Sequence, residues 1–422
     1  MHTAKTIAIL STAAVLSVSN SVLAQDIRFE VLPGIFPLDM STDGSVIAGN
    51  DINFETVRWT RATGVVNLGR GTFPLGVGAG SPDISDDGTK ISATILTADG
   101  TLATQGIWTE GLGWEDYMPP TPADGGVIDL ALGSAWGISG DGSSIVGLYW
   151  RPNDFATGGA HASIASAPGS VIDLGSSGGN SRANHTNFDG SVVVGWDERP
   201  DGLWQPTVWE NGVLTRLSNE ESFSSADYVN AAGTIIGGNT LRPIFDYQEA
   251  TLWHKNGSSW DKQVIGALPG TVGPRGFATV ESMTPDGSKV VGINVFNPSA
   301  PATGFIWTQE DGMVDVKDFL DDQGIEVPAD MLILNLTSIS ADGTIMAGVG
   351  VSALDGFTPM GFRISPACPA DINSDFDLNF LDISAFIAGF GDGEAFADFN
   401  DDGSFNFLDI SAFLADFSAG CP

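Results

Sequence analysis

Between Ser41 and Gly348 the chain repeats one alternation of polar and apolar positions: a turn of the form x-x-D-G-S/T, then at once a short apolar run. The copies are STDGSVIAG, SDDGTKISA, SGDGSSIVG, NFDGSVVVG, NAAGTIIGG, TPDGSKVVG and SADGTIMAG, with turn glycines at Gly44, Gly88, Gly142, Gly190, Gly233, Gly287 and Gly343. Successive glycines are 44, 54, 48, 43, 54 and 56 residues apart. Asp-Gly between two β-type runs predicts a tight hairpin, because glycine enters positive φ without a Cβ clash. A third run follows each hairpin and carries tryptophan at one fixed place: TVRWT, QGIWT, PTVWE, ATLWH and FIWTQ. In the two remaining units, HASIA and GFRIS, Ile164 and Ile364 take the slot held by Trp59, Trp108, Trp209, Trp253 and Trp307. Most units add a fourth run, such as VVNLG, VIDLG or VDVKDF.

Four short strands per unit at this period predict an all-β fold, a seven-bladed β-propeller of four-stranded repeats over residues 25–366. The last unit stops after GFRIS without a fourth strand, while an isolated strand, IRFEVLPG, precedes the first unit. That strand is expected to complete the seventh blade and close the ring. The tryptophan slot is read as packing between blades. The recurring turn aspartates, Asp43 and Asp286 among them, are read as hydrogen-bonding to their own backbone and not as metal ligands.

The first residues, Met1 to Lys5, precede an apolar run from Ile7 to Val18 and a small-residue site at Val22-Leu23-Ala24. Residues 1–24 therefore read as a secretory signal peptide, and the mature protein is expected to be secreted or extracellular, with attachment to a cell surface open. No later stretch is apolar and long enough to suggest a membrane span. The net charge of −35, with only 17 Lys+Arg, argues against nucleic acid or an anionic membrane as the main partner. The repeats resemble bacterial extracellular HAF-type repeats, which pair a D-G-S turn and V-V-G strand with a later A-x-x-W strand. The resemblance covers Asp26 to Ser365 and implies a fold, without an activity.

From Cys368 the pattern changes to a tandem duplication, with NFLDISAF at Asn379–Phe386 and again at Asn406–Phe413. Each copy closes a D-x-N-x-D loop with oxygen donors at the spacing a calcium ion requires: side chains at positions 1, 3, 5 and 12 and a carbonyl at position 7. The first loop offers Asp371, Asn373, Asp375 and Asp382, with Asp377 at the carbonyl position. The second offers Asp398, Asn400, Asp402 and Asp409, with Ser404 at the carbonyl position. Two calcium ions are expected, because carboxylates this crowded repel one another without a cation. Phe376 stands at the sixth position of the first loop and Gly403 at that of the second, so the second is expected to be the stronger site. Apolar residues at helical spacing, Ile383, Phe386, Ile387 and Phe390, then Ile410, Phe413, Leu414 and Phe417, predict two amphipathic helices packed together. Cys368 and Cys421, the only cysteines, bracket this small module, and a disulfide between them would stabilise it by ~4 kcal/mol.

The run CPADINSD…NFLDISAF…ADFNDDG…NFLDISAF…GCP resembles dockerins, most closely those bounded by Cys-Pro at both ends. The resemblance implies that residues 367–422 form a small α-helical module with two EF-hand-like loops that docks on a cohesin-like receptor or scaffold. Positions 10 and 11 of the loops, which help choose the partner in cellulosomal dockerins, are Phe380-Leu381 and Phe407-Leu408 here, where small hydroxyl residues are usual.

No catalytic motif stands out. His161, His185 and His254 lie in different units without metal-ligand spacing, and no nucleophile elbow or phosphate loop is present. One recurrence points to a ligand face: an Arg-Pro pair follows the hairpin strand in three successive units, at Arg151, Arg199 and Arg242, with Trp150, Trp196 and Trp204 nearby. Flat aromatics among planar cations suit sugars, acidic ones above all, whereas pairing of each arginine with a local carboxylate such as Asp197 or Glu198 is the plainer account. The leading expectation is a non-catalytic propeller that binds a glycan or protein ligand and is tethered by its calcium-dependent tail. The alternatives are a propeller glycoside hydrolase or polysaccharide lyase, and a structural surface or matrix protein.

Overall fold

The computed structural model describes residues 27–71, 80–118, 125–127, 130–151, 159–218, 223–242, 246–356 and 358–420. The signal peptide expected at 1–24 and Cys421 lie outside them.

Each turn is built as its sequence dictates. Gly44, Gly88, Gly142, Gly190, Gly233, Gly287 and Gly343 all have φ between 66° and 77°. In five of the turns the aspartate before the glycine accepts hydrogen bonds from the hydroxyl two residues earlier and from the backbone and hydroxyl two residues later; at Asp189 the earlier donor is Asn187 Nδ2, and Ala232 stands in place of aspartate before Gly233. At Asp286 these donors are Thr284 Oγ1 at 2.9 Å, Ser288 N at 3.0 Å and Ser288 Oγ at 2.7 Å. The turn aspartates are thus spent on local geometry.

Around each turn the strands form antiparallel sheets in sequence order. Phe36–Met40, Val46–Asn50, Thr56–Thr60 and Gly64–Asn67 make the first. Three more four-stranded sheets follow, from Asp83–Ile84 to Gly113–Asp116, from Gly133–Ile138 to Val171–Gly175, and from Ser181–Thr186 to Val213–Arg216. Ala226–Val229 to Ser259–Gly266 and Phe277–Met283 to Gly312–Asp315 are joined into one eight-stranded sheet by a single parallel pairing, Gln248 with Phe277. In the last sheet Met331–Ile339, Met346–Ser352 and Met360–Pro366 are completed by the N-terminal strand Ile27–Pro33, which pairs antiparallel with Met360–Pro366. Backbone bonds also run from turn to turn: Thr42 N donates to Asp86 O at 3.1 Å, Asp86 N to Gly140 O at 2.9 Å, and Ala341 N returns to Thr42 O at 2.8 Å. The last unit is therefore bonded to the first.

The tryptophan slot is core. Trp209 and Trp253 are fully buried, and Trp59, Trp307 and Ile364 nearly so. Each tryptophan packs on the preceding unit: Trp59 against Ile345 and Ala347, Trp209 against Val146 and Ala162, Trp253 against Val192 and Val194. Trp108 and Ile164 are only half-buried.

The run VDVKDF is a strand only as far as Asp315. A short helix α1, Val316–Asp322, replaces the rest, because the Asp315 side chain caps it by accepting from Lys317 N at 2.8 Å and because Val316 and Leu320 are fully buried.

After Pro366 come two helices, α2 at Phe380–Asp392 and α3 at Phe407–Ala419. Both begin with a capping box: Asn379 with Asp382, and Asn406 with Asp409. Phe386 and Phe413 are 1% exposed and stack on each other with centroids 4.1 Å apart. Ile387 and Leu414 depart from the expected packed face, being 63% and 48% exposed. The two helices meet along a narrow Phe386–Phe413 seam that cannot cover the full width of either apolar stripe.

Candidate functional site: a central cleft and a carboxylate loop

A cavity of about 370 Å³ opens where the first strands of the sheets converge. Its wall has a regular origin. Six residues before each turn glycine stand Leu38, Pro82, Trp136, Asn184, Asp227, Glu281 and Thr337, and all seven line it. In most units a β-bulge lies here; the pairing register skips Leu38, Trp136, Asn184, Asp227, Glu281 and Thr337. A bulge re-aims its extra residue out of the ladder, which turns these side chains into the cleft. The frame is repeated, yet the side chain differs in every unit.

In three units the next residue along fastens its unit to a neighbour. Ile84 N donates to Asp39 Oδ2 at 3.2 Å, Ile138 N to Asp83 Oδ2 at 2.8 Å, and Val229 N to His185 Nδ1 at 3.3 Å. His185 also stacks on Tyr228 with centroids 4.5 Å apart.

Burial governs the charge states inside. It holds Asp39 and Asp83 above the usual carboxylate range, Asp39 well above, with Asp83 beside it adding to the effect. It pushes Glu281 up to about 8, and the nearby Asp227 charge pushes the same way. It also lowers His185 to about 4 and Arg182 to about 10. Asp227 is raised by burial, although Thr279 Oγ1 at 2.6 Å, Ser225 Oγ at 2.7 Å and Asn184 Nδ2 at 2.9 Å donate to it. At neutral pH the cleft therefore presents protonated Glu281, neutral His185 and cationic Arg182, whose guanidinium lies 3.6 Å from the Trp136 ring centroid. These groups offer hydrogen bonds and one charge to a polar ligand. The His185, Asp39 and Glu281 positions escaped sequence reading, and their one signal is the fixed distance from the turn glycine.

The C-terminal loops hold the second constellation. Oxygens of Asp371, Asp375 and Asp382 lie within 4.8 Å of one another, the one such group of three acidic, His or Cys residues among the described residues. Three carboxylates so placed, with Asn373 beside them and the Asp377 carbonyl in the loop, are a hard-oxygen donor set that fits a divalent cation. In the second loop Asp398, Asn400, Asp402 and Asp409 repeat the same internal hydrogen bonds, Asp402 N to Asp398 Oδ1 at 3.1 Å and Asn400 N to Asp409 Oδ1 at 3.3 Å, and Asn406 holds the Ser404 carbonyl at 2.9 Å. Both loops turn sharply at position six, with a strained non-glycine residue there in the first. Phe376 takes φ 69°, close to the 77° of Gly403, so the first loop makes the same sharp turn. Its ring is held there by the guanidinium groups of Arg28 at 5.1 Å and Arg61 at 5.9 Å.

The Arg-Pro arginines each meet a local carboxylate. Arg199 Nη2 lies 2.6 Å from Asp201, Arg242 Nη1 lies 2.8 Å from Glu249, and Arg151 Nη1 lies 3.9 Å from Asp173. Trp196 is 6% exposed and stacks beneath Trp204 with centroids 4.2 Å apart, leaving Trp204 37% exposed. Trp150 is half-buried, its indole nitrogen sealed from solvent. Cys368 is buried in the module's core with Phe386 and Phe413. No described helix is long and apolar enough to cross a membrane.

No protein-family model matches the chain, and no curated protein matches it. Solved structures do. An oligogalacturonate lyase in complex with manganese is 13% identical, with 80% of this chain and 91% of that one covered and a TM-score of 0.51. An oligogalacturonate lyase from Vibrio parahaemolyticus is 14% identical over 80% of this chain and 97% of that one, with a TM-score of 0.50. The β-propeller domain of the trilobed protease from Pyrococcus furiosus is 13% identical over 79% and 95%, with a TM-score of 0.45. The chain spans 62% of the length of TolB from Acinetobacter baumannii, at 14% identity over 67% of this chain and a TM-score of 0.41. At these identities the likeness shows the fold alone, a β-propeller.

Proposed function

We propose that this chain is a secreted, non-catalytic, seven-bladed propeller that binds a glycan in its central cleft and is anchored to a cohesin-like receptor by a calcium-dependent dockerin module. The observation that carries the cleft reading is the ring of seven different side chains on one repeated bulge. A purely structural position would repeat one residue type, as the tryptophan slot nearly does, whereas a polar ligand without sevenfold symmetry needs different groups in each unit. The cleft combines Trp136, Phe277 and Tyr228 with amides, hydroxyls and a cation, the mixture that sugar rings meet.

For the tail, the carboxylates of Asp371, Asp375 and Asp382 support calcium in the first loop, and the matching bonds of Asp398, Asp402 and Asp409 support a second ion. Phe380, Leu381, Phe407 and Leu408 are 75%, 59%, 75% and 58% exposed at corresponding places on the two helices, an apolar surface suited to a receptor. A Cys368–Cys421 disulfide fits the export that the N-terminal sequence implies.

A second reading, a polysaccharide lyase or glycoside hydrolase, is favoured by Glu281 near 8 and His185 near 4, since groups pushed apart in this way collect at catalytic sites. One experiment separates the two: the purified full chain is tested against a polysaccharide panel for binding and for released reducing or unsaturated ends. Binding without released ends supports the proposal. Turnover supports the second reading, and neither result leaves only a structural role.

A further inference from the structure

Arg182 is placed unlike most other arginines of the chain. Eight described arginines have a carboxylate oxygen within 3.9 Å. Arg182 has none, although it stands on the wall of the cleft. Its Nε donates to Asn184 Oδ1 at 2.7 Å and its plane lies on Trp136, while its two terminal amino groups donate to no protein atom among the described residues. Those groups are absent from the nitrogens sealed away from solvent, so they face the cleft. The nearest acid, Asp227, is already occupied by Thr279, Ser225 and Asn184. A guanidinium held flat on an aromatic ring with its fork open is preorganised for a planar, bidentate anion.

A second observation comes from the rest of the lining. Asn239 lines the cleft beside Asp227, and its Nδ2 donates to Thr279 Oγ1 at 3.1 Å. Ser81, Gln248 and Thr337 add neutral polar groups, and among the described residues no Lys or second Arg lines the cleft. One open cation and several neutral polar groups, beside the carboxyls of Asp39, Asp83 and Asp227 that oppose further negative charge, call for a ligand with a single negative charge and several hydroxyls. The volume lies at the small end of ligand cavities.

Building on the glycan reading above, we infer that the cleft takes a sugar acid, a uronate-like residue whose carboxylate lies on the Arg182 fork and whose hydroxyls meet the neutral polar groups of the wall. Phosphate suits it less well, because a dianion would meet one cation with the Asp227 carboxylate nearby.

The test uses the full chain and isothermal titration with matched pairs, glucuronate with glucose and galacturonate with galactose, plus inorganic phosphate. At least one uronate is expected to bind tenfold or more tightly than its neutral partner. Arg182→Gln should remove that preference, and Arg182→Lys should restore only part of it. The wild-type comparison needs no variant, so a misfolded Arg182→Gln protein does not spoil the test. A neutral sugar binding within twofold of its uronate overturns the inference and leaves the glycan reading standing. Phosphate binding more tightly than either uronate overturns the carboxylate assignment. Failure of every sugar, neutral and acidic, overturns the inference together with the glycan reading.

Discussion

Arg28 Nη1 donates to Asp371 Oδ2 across 3.0 Å, an ion pair that joins the first strand of the propeller to the first carboxylate of the C-terminal loops. Both side chains are mostly buried, at 12% and 3% exposure, so water screens the pair weakly. The same Asp371 oxygen also accepts from Phe376 N at 3.0 Å. A cation entering the first loop must draw on that carboxylate against the pull and the positive charge of Arg28. Arg28→Met is therefore expected to tighten calcium binding to the first loop by about tenfold, ~1.4 kcal/mol. Titration of the full chain, wild type against variant, checks it; equal affinities would mean that Arg28 and the cation share the carboxylate without cost.

Calcium removal should loosen the module more than the propeller. The carboxylates of Asp382 and Asp409 both close their loops and cap α2 and α3, accepting from Asn379 N at 2.9 Å and Asn406 N at 2.8 Å. Without a cation their mutual repulsion acts on the helix starts. In chelator the full chain should become sensitive to protease beyond Pro366 while the fragment carrying the propeller persists. Mass spectrometry of the digest decides it. Asp371→Ala should be at least as damaging as Asp398→Ala, because it also leaves Arg28 buried without its partner.

Glu281 gives a pH dependence of definite sign. Its carboxyl is pushed from 4.5 up to about 8 by burial, so the folded chain keeps a proton that the unfolded chain has released. Stability must then fall as pH rises from about 4.5 through about 8, and the loss is complete above that. Glu281→Gln removes this slope and should exceed the wild type in stability at alkaline pH by on the order of a few kcal/mol. Urea denaturation of both proteins at acid and alkaline pH makes the comparison, and parallel pH profiles would contradict it.

The repeated features were legible because each recurs with the same residue type. The Asp-Gly turns, the tryptophan slot and the closing strand at Ile27–Pro33 all lie where period and pattern place them. The cleft was not legible, for the opposite physical reason. Trp136, Asn184, Asp227 and Glu281 share a backbone position and a bulge but no chemistry, so no motif search unites them. The Arg-Pro recurrence was visible for the same reason that the turns were, and its arginines proved to be engaged at their own loops. Periodicity also overstated the helix seam. It counts Ile387 and Leu414 with the rest, while these two stay exposed and Ile383, Phe390, Ile410 and Phe417 flank the Phe386–Phe413 pair.

The turn glycines join the local fold to ring closure, which Gly44 tests most directly. Its φ of 69° alone would cost an alanine about 1 kcal/mol. A Cβ there would also sit 2.9 Å from Cδ1 and Cγ2 of Ile345, a residue 3% exposed in the core shared by Trp59, Ile47 and Leu32. Ile345 belongs to the last unit and Gly44 to the first, and the Ala341 N to Thr42 O bond lies beside them. Gly64 is the control, with φ 61° and nothing within 4 Å of an added Cβ. Gly64→Ala should cost about 1 kcal/mol, whereas Gly44→Ala should cost about 2–4 kcal/mol, the excess being overpacking at the seam between first and last units. Chemical denaturation of both variants measures the difference. Equal costs would mean that Ile345 yields freely and that the seam is not tightly packed at this point.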